Sequence, residues 1–420
     1  MQSAAENIQR LVEWAHRKGL AEPAPSPVRR VGIIGAGTMG TSIAAALARH
    51  GIAVAIADLD PVALQLARGR IDEELRQSGG APSVPVQTTT ELATFRECDL
   101  VLETIVENLA AKRKLYAQLA DYLDTRTLIA SNTSAIPLEQ LAKSVPTGHP
   151  FFGLHFCHPV RLRPLVEIVR SVRLDAKSLA TAIALVQAID RLPIVVSDGP
   201  GFVVNRLLFP YLSAALELLV EGVAPARLEQ LATDFGMPFG PLRMIDEMGA
   251  DTTLHAGWVL ANAFPDRIVP SPLLVTMIKA GRLGRKCGRG FYAYSTAGEE
   301  AAAVLDDDVG PLIARWSEQR QTLLDQSILD RLFLPMVLEA ARLLEEGCCD
   351  SVRDIDLAAV FGLSFPREKG GLLWWADSRG TQAIADRLVA FDIARLRPTP
   401  LLASLADGNS RFYDLPANSE

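Results

Sequence analysis

Apolar and polar positions divide this 420-residue chain into two regions of different period. Between residues 30 and 195 short apolar runs alternate with helical stretches. The runs at 31–34, 52–57, 99–102, 127–131, 151–156, 165–169 and 192–196 predict strands of a mostly parallel sheet. Ser197-Asp-Gly-Pro-Gly201 breaks that alternation, and from Phe202 onward the chain reads almost wholly helical. Its first long helix is predicted over 205–222. Ahead of the strands, residues 5–20 predict an amphipathic helix with Ile8, Leu11, Val12 and Ala15 on one face, followed by the stiff Pro-rich linker Ala21-Glu-Pro-Ala-Pro-Ser-Pro-Val28. Such a helix either packs on the main body or docks a partner, and packing is the expectation.

The helical region repeats itself. Asn205-Arg-Leu-Leu-Phe-Pro…Glu-Gly222 recurs as Asp330-Arg-Leu-Phe-Leu-Pro…Glu-Gly347, an offset of 330 − 205 = 125. Phe235-Gly236 and Phe361-Gly362 follow at an offset of 126. Ordered landmarks over such a span indicate duplication rather than two similar amphipathic helices. The expected organisation is therefore a helix and linker (1–28), an α/β domain (29–197), a first helical domain (198–294), an Ala/Glu/Asp-rich connector (295–320) and a second helical copy (321–420).

The first apolar run enters a glycine-rich turn and a helix, Val31-Gly-Ile-Ile-Gly35-Ala-Gly37-Thr38-Met39-Gly40. A second run ends in Asp58, 58 − 35 = 23 residues past the first glycine. This is the Rossmann dinucleotide fingerprint in its strand–turn–helix setting. Gly35 suits a tight turn, Gly37 lets backbone N–H groups approach a pyrophosphate, and Gly40 lets the helix pack closely. Unpaired N–H groups of the helix start at Thr38 and Met39 face the phosphates. Asp58 suits the ribose hydroxyls and repels a 2′-phosphate, which favours NAD over NADP.

Composition narrows the class further. Forty-nine per cent hydrophobic and 22% charged residues describe a globular protein, and a net charge of −7 argues against a nucleic-acid surface. No apolar stretch is long enough for a membrane span. Cys98, Cys157, Cys287, Cys348 and Cys349 lack metal-ligand spacing, so free thiols in a reducing cytoplasm are expected.

Three polar clusters carry candidate chemistry. Glu103-Thr-Ile-Val-Glu107-Asn-Leu-Ala-Ala-Lys112 and Ser131-Asn132-Thr133-Ser134 each follow a strand, where doubly wound sheets bind ligands. The third is Gly153-Leu-His155-Phe-Cys-His158-Pro, followed by Pro164-Leu-Val-Glu167-Ile-Val. A histidine in one apolar strand and a glutamate in the next suit alcohol oxidation. The imidazole would take the hydroxyl proton, and the carboxylate would fix its tautomer. The spacing also fits a structural histidine and an unrelated edge glutamate. His158 has a weaker case for a direct role and reads as a turn residue or as a support behind the pair.

These motifs, with Asp198-Gly-Pro-Gly-Phe-Val-Val-Asn-Arg-Leu and Gly284-Arg-Lys-Cys-Gly-Arg-Gly-Phe-Tyr, occur in an order that resembles the L-3-hydroxyacyl-CoA dehydrogenases over about 29–294. Residues 320–420 resemble the second helical domain of the multifunctional fatty-acid β-oxidation alpha subunit, whose hydratase/isomerase domain this chain lacks. The resemblance implies an α/β Rossmann-type domain followed by two related all-α domains of the 6-phosphogluconate-dehydrogenase C-terminal kind. It implies reversible NAD-dependent oxidation of (S)-3-hydroxyacyl-CoA to 3-ketoacyl-CoA. His155 matches the base, Glu167 its carboxylate partner, Ser134 the serine on the substrate oxygen, and Asn205 the asparagine that completes the site. Asp58, Glu107, Lys112 and Asn132 match cofactor contacts. The implied partners are the acyl-CoA substrate and a separate enoyl-CoA hydratase or thiolase, the chain being a monomer with an internal pseudo-dimer or a homodimer.

Two departures stand out. The family's His-Phe-Phe-Asn-Pro is His155-Phe-Cys157-His158-Pro here, and the second repeat has Asp330 in place of Asn205, which reads as non-catalytic. Trp374 and Trp375 read as core, and Lys286 and Arg289 as structural residues of a glycine-rich loop, with CoA phosphates as the alternative. Arg68 and Arg70 are further candidates for CoA phosphates, Arg68 as the substrate-binding residue. Competing functions are a same-fold dehydrogenase for another hydroxy acid or a carrier-bound acyl group, and a non-catalytic NAD-binding scaffold.

Overall fold

A computed structural model describes residues 3–19, 26–79, 84–295, 303–317 and 323–416. It divides into two compact units. One, the sheet unit, comprises residues 9–203 and 347–363; the other, the helical unit, comprises the chain up to Ile8, Val204–Glu346 and the chain from Ser364.

The sheet unit holds eight strands: β1 (Arg30–Ile34), β2 (Ala53–Ala57), β3 (Val86–Thr89), β4 (Leu100–Glu103), β5 (Leu128–Ser131), β6 (Phe151–Phe156), β7 (Leu165–Arg170) and β8 (Leu192–Ser197). Their order is β3-β2-β1-β4-β5-β6-β7-β8. All neighbours are parallel except β6 and β7. The central strands are buried along nearly their whole length, as continuous Val/Ile/Leu runs between helical layers require. Strand order reverses beside β1, so the crevice at the carboxyl ends of β1 and β4 is the place for a ligand. The apolar runs foreshadow seven of these strands. β3 was not among them, because Val86-Gln-Thr-Thr is a half-exposed edge strand with no apolar run. The antiparallel β6–β7 pair follows from the short Cys157–Pro164 connection, too brief for the crossover a parallel pair requires.

The other edge, β8, is covered from far along the chain. Ser197 donates its amide to the Cys348 carbonyl at 2.9 Å, and Val196 bridges Cys349. Residues 347–363 thus belong with the sheet, although the repeat placed them in the second helical copy. Covering an edge in this way blocks pairing with another chain. The N-terminal helix spans Ala4–Arg17 and buries Leu11 and Ala15. Trp14 Nε1 donates to Asp354 Oδ1 at 3.0 Å, and Lys18 Nζ pairs with the same fully buried carboxyl. Burial pushes the Asp354 carboxyl above its ordinary range despite the Lys18 charge and the Trp14 bond. The expected packing of this helix on its own chain is therefore observed. Residues 20–25 of the Pro-rich linker lie outside the described residues.

In the helical unit the duplication is geometric as well as sequential. Val204–Val220 contains Pro210 and Asp325–Glu345 contains Pro335, again 125 apart. Arg206 pairs with Glu346 at 2.6 Å while Arg331 pairs with Glu221 at 2.8 Å. Since 331 − 206 and 346 − 221 both equal 125, the two ion pairs are one contact repeated about a pseudo-twofold axis. Asp246 accepts the amides of Phe291 and Tyr292 at 3.0 and 2.9 Å; Asp377 accepts those of Phe412 and Tyr413 at 2.8 and 3.1 Å. Gly249 and Gly380, each three residues beyond its aspartate, share φ/ψ of 92°/132° and 86°/130°. Trp375 joins Phe235, Phe333 and Phe365 in an aromatic core, and Trp374 sits edge-on to Tyr413 at 5.0 Å. Within the connector, whose residues 296–302 and 318–320 lie outside the described set, Ala303–Leu305 pairs antiparallel with Tyr292–Tyr294.

Candidate active site

The glycine turn has the shape its residues require. Gly35 has φ 112°, and a side chain there would strike the Thr104 carbonyl. A Cβ on Gly40 would collide with the Gly35 carbonyl oxygen, so this helix approaches the turn as only glycine permits. Gly37, which precedes the helix Thr38–Arg49, differs: a Cβ added there meets open space. The Gly37 face is therefore free on the side where the N–H groups of the helix start at Thr38 and Met39 lack intrahelical partners. Asp58 follows β2 and braces the turn, its Oδ2 accepting the Ala36 amide at 2.8 Å and its Oδ1 the Asp60 amide at 3.0 Å. Each carboxylate oxygen keeps a lone pair, and the side chain is half-buried. An open cradle of amides with a carboxylate beside it fits a dinucleotide.

The next strand ends supply a polar network. Glu103 closes β4 and is fully buried. Its Oε1 accepts from Lys112 Nζ at 2.6 Å and from the Ile105 amide at 2.8 Å. Its Oε2 accepts from Ser131 Oγ at 2.7 Å and from the Tyr116 hydroxyl at 3.0 Å. Lys112 also pairs with Glu107 at 3.2 Å. Glu107 Oε1 in turn accepts Thr133 Oγ1 at 2.6 Å and the amides of Ser134 and Ala135 at 2.9 and 3.0 Å. Burial pushes the Glu107 carboxyl up, but Lys112, the Thr133 hydroxyl and the two amides outweigh it, so its pKa lies below the ordinary range. Glu107 and Lys112 are thus knitted to the Ser131–Ser134 loop.

Asn132 ties that loop to the third cluster, its Oδ1 accepting the Phe156 amide at 2.9 Å. One residue earlier on β6 stands His155, and the antiparallel register sets it directly opposite Glu167 of β7. His155 Nδ1 and Glu167 Oε2 are 2.6 Å apart. Both side chains are buried, Glu167 completely. With the carboxylate as acceptor, Nδ1 carries the proton and Nε2 is the nitrogen that can take another. Glu167 Oε1 accepts the Val203 amide at 2.9 Å, so the carboxylate bridges the imidazole and the backbone that leaves the sheet unit.

The structure therefore joins Glu107, Lys112, Asn132, Ser134, His155 and Glu167 through one bonded chain of neighbours at the ends of β4, β5 and β6. It does not bring Arg68 into that chain. Arg68 is exposed on the helix Pro61–Gln77, its Nη2 donating to Thr88 Oγ1 of edge strand β3 at 3.3 Å. Asn205 lies in the first turn of Val204–Val220, two residues beyond Val203. Of the departures, Cys157 is buried, and burial with the nearby Glu167 charge pushes its thiol far above the ordinary range, so no thiolate stands beside the imidazole. His158 is exposed on the turn and precedes a cis peptide to Pro159. Lys286 is held by Asp251 at 2.5 Å. In the second repeat Asp330 is bound by Arg379 at 2.7 Å, Arg387 at 2.8 Å and Gln326 at 2.8 Å. Its carboxylate is committed to structure.

Sequence reasoning gave no role to Glu103, Tyr116 or Ser131, nor to the Val203 amide. Only the nine-residue spacing from a buried strand-end Glu103 to Lys112 hinted at their ion pair.

Fold and site together define a dinucleotide-dependent oxidoreductase with a histidine–carboxylate pair. Residues 30–199 match the 3-hydroxyacyl-CoA dehydrogenase NAD binding domain, and 201–294 match the 3-hydroxyacyl-CoA dehydrogenase C-terminal domain. The (S)-3-hydroxybutyryl-CoA dehydrogenase of Ralstonia eutropha is 34% identical, with 64% of this chain and all of that one covered, at a TM-score of 0.58. The 3-hydroxybutyryl-CoA dehydrogenase of Escherichia coli K12 is 26% identical, with 91% of this chain and 99% of that one covered, at a TM-score of 0.78. A fatty acid oxidation complex subunit alpha from Pseudomonas savastanoi pv. phaseolicola is 32% identical over 409 residues, 94% of this chain, which spans 57% of that relative's length. The chain belongs to the 3-hydroxyacyl-CoA dehydrogenase family, whose cofactor is NAD.

Proposed function

We propose that the protein oxidises the hydroxyl of an (S)-3-hydroxyacyl-CoA reversibly to the 3-ketone, with His155 as the base. The observation that carries this reading is the β6–β7 register, which sets His155 Nδ1 at 2.6 Å from a fully buried Glu167. NAD, when bound, supplies the hydride acceptor. Gly35, Gly37, Thr38, Met39 and Gly40 would hold its pyrophosphate and Asp58 its ribose. His155 Nε2 takes the hydroxyl proton as the alcohol carbon is oxidised, and returns it in the reverse direction. Glu167 favours the imidazolium so formed and holds the ring to one tautomer. Ser134, anchored through its amide to Glu107, is the donor for the substrate oxygen, and Asn205 is the further candidate for the substrate. Glu107, Lys112 and Asn132 keep the Ser131–Ser134 loop in register with the His155 strand. Arg68 is the candidate for the CoA phosphates.

The test is oxidation of NADH with acetoacetyl-CoA, followed by longer 3-ketoacyl-CoA substrates. Turnover with the thioester and none with free acetoacetate is the expected result. Turnover only with the free acid or an acyl-carrier thioester would move the substrate class. No turnover at all, together with tight NADH binding, would make the chain a scaffold. The relative's name places it in fatty acid oxidation, and the product of a hydratase acting on an enoyl-CoA, or the substrate of a thiolase, has the matching chemistry. The reciprocal ion pairs of the helical unit support a monomer with an internal pseudo-dimer. No described helix is long and apolar enough to cross a membrane, and the five free thiols fit a reducing cytoplasm.

Asp58 also sets a coenzyme prediction. Wild-type protein should favour NADH over NADPH, and Asp58→Ala should narrow that preference by roughly tenfold or more as the repulsion of a 2′-phosphate is lost. The ratio of kcat/KM for the two coenzymes measures it, and an unchanged ratio refutes the role.

A further inference from the structure

Phe202 stands in a backbone conformation that a phenylalanine seldom adopts. Its φ is +47°, in the left-handed region that favours glycine. Gly201 before it is left-handed as well, with φ 76°. The side chain is nonetheless buried, at 3% exposure, and its ring centroid lies 5.7 Å from that of His155 at an interplanar angle of 55°. The next residue, Val203, gives its amide to Glu167 Oε1, the carboxylate oxygen that the imidazole leaves unused. One tight turn thus meets both members of the catalytic pair, with a ring on the histidine and an N–H on the glutamate. A glycine at 202 would relieve the backbone and lose the ring. An extended phenylalanine would keep a relaxed backbone but carry ring and amide elsewhere. Backbone strain kept at such a place is a feature that the surrounding fold has to hold in position.

We infer that Phe202 is a positioning residue for the catalytic imidazole. Its ring braces the His155 ring laterally, while the left-handed turn that presents it fixes Glu167 through the Val203 amide. Among the described residues the imidazole has one hydrogen bond, through Nδ1, about which it can still rock. A packed ring beside it removes that freedom and keeps Nε2 aimed at a single point. Proton transfer depends steeply on such aim, since a misplacement of about 1 Å costs on the order of 100-fold in rate. The inference rests on His155 being the base.

The test uses the full-length protein with NADH and acetoacetyl-CoA. Phe202→Leu keeps an apolar side chain and removes the ring; Phe202→Tyr keeps the ring. Phe202→Leu should lower kcat by ~10- to 100-fold. NADH affinity, read by cofactor fluorescence, should stay within about twofold of wild type. The pH profile of kcat/KM should shift with it, as the His155–Glu167 bond loosens. Phe202→Tyr should retain kcat to within about threefold. If Phe202→Leu fails to fold, Phe202→Met replaces it under the same expectations. A folded Phe202→Leu or Phe202→Met protein with wild-type kcat and pH profile overturns the inference. So does an equal loss in Phe202→Tyr, which would mark a purely volumetric role. Failure of the functional reading looks different: wild-type protein would be inactive on the thioester, or His155→Ala would equal it.

Discussion

His155→Ala protein is expected to bind NADH normally and to turn over acetoacetyl-CoA roughly 10²–10⁴-fold more slowly than wild type, the range that loss of a general base produces. Its ring is hydrogen-bonded to a side chain, Glu167, and not to the glycine turn. Binding of the coenzyme should therefore survive while chemistry fails. Glu167→Gln should approach the same defect for a reason specific to this site. Among the groups that meet the Glu167 carboxylate are two donors, one on each oxygen, the His155 Nδ1–H and the Val203 N–H. A carboxylate offers each an acceptor, whereas an amide offers one acceptor and one NH2 group that opposes the other donor. The variant loses the charge that favours imidazolium and also misplaces the ring or the turn. Steady-state kinetics with a parallel NADH titration measures both effects. A tenfold loss of NADH affinity with unchanged kcat would refute the assignment.

The second large effect concerns stability. Glu103→Ala is expected to destabilise the protein by roughly 3–5 kcal/mol, because it strips a buried ammonium of its nearest carboxylate. Lys112 is 1% exposed and would keep the Ile105 carbonyl and, as its one carboxylate, Glu107, which already serves Thr133, Ser134 and Ala135. Tyr116 and Ser131 would each lose an acceptor as well. The double variant Glu103→Leu/Lys112→Met should lose less than the two single changes summed, since neither member of the Glu103–Lys112 pair is then left as a charge without the other. Urea unfolding followed by circular dichroism reads the difference. A loss under about 1 kcal/mol for Glu103→Ala would show that the cluster is hydrated.

Much of this architecture is legible in the chain because burial on both faces writes itself as uninterrupted apolar runs. The strands from 31–34 to 192–196 announce themselves in that way, and the glycines at 35, 37 and 40 mark the turn between the first of them and its helix. His155 and Glu167 are legible as well, since a proline-bounded turn between two apolar runs suggests a tight return. What the sequence hides is of another kind. β3 has no apolar run because it is an edge. The Val203 amide leaves no mark, being backbone common to every residue but proline. Glu103 reads like any strand-end acid until Tyr116 and Ser131, from a helix and a neighbouring strand, are seen to converge on it. Residues 347–363 read as part of a helical repeat, yet their Cys348 and Cys349 backbone closes the sheet edge at β8.

The paired ion bridges Arg206–Glu346 and Arg331–Glu221 have a genetic consequence. In an enzyme that builds such an interface from two identical subunits, every substitution strikes both sides of the axis at once. A change tolerable in one copy but harmful in the other is then rejected. Here the two sides are encoded separately, and they have diverged. Where the first copy has Asn205, the second has Asp330, an acid held by Arg379, Arg387 and Gln326 in an architectural role. Duplication has freed one half of the interface to change its chemistry while the other keeps its own.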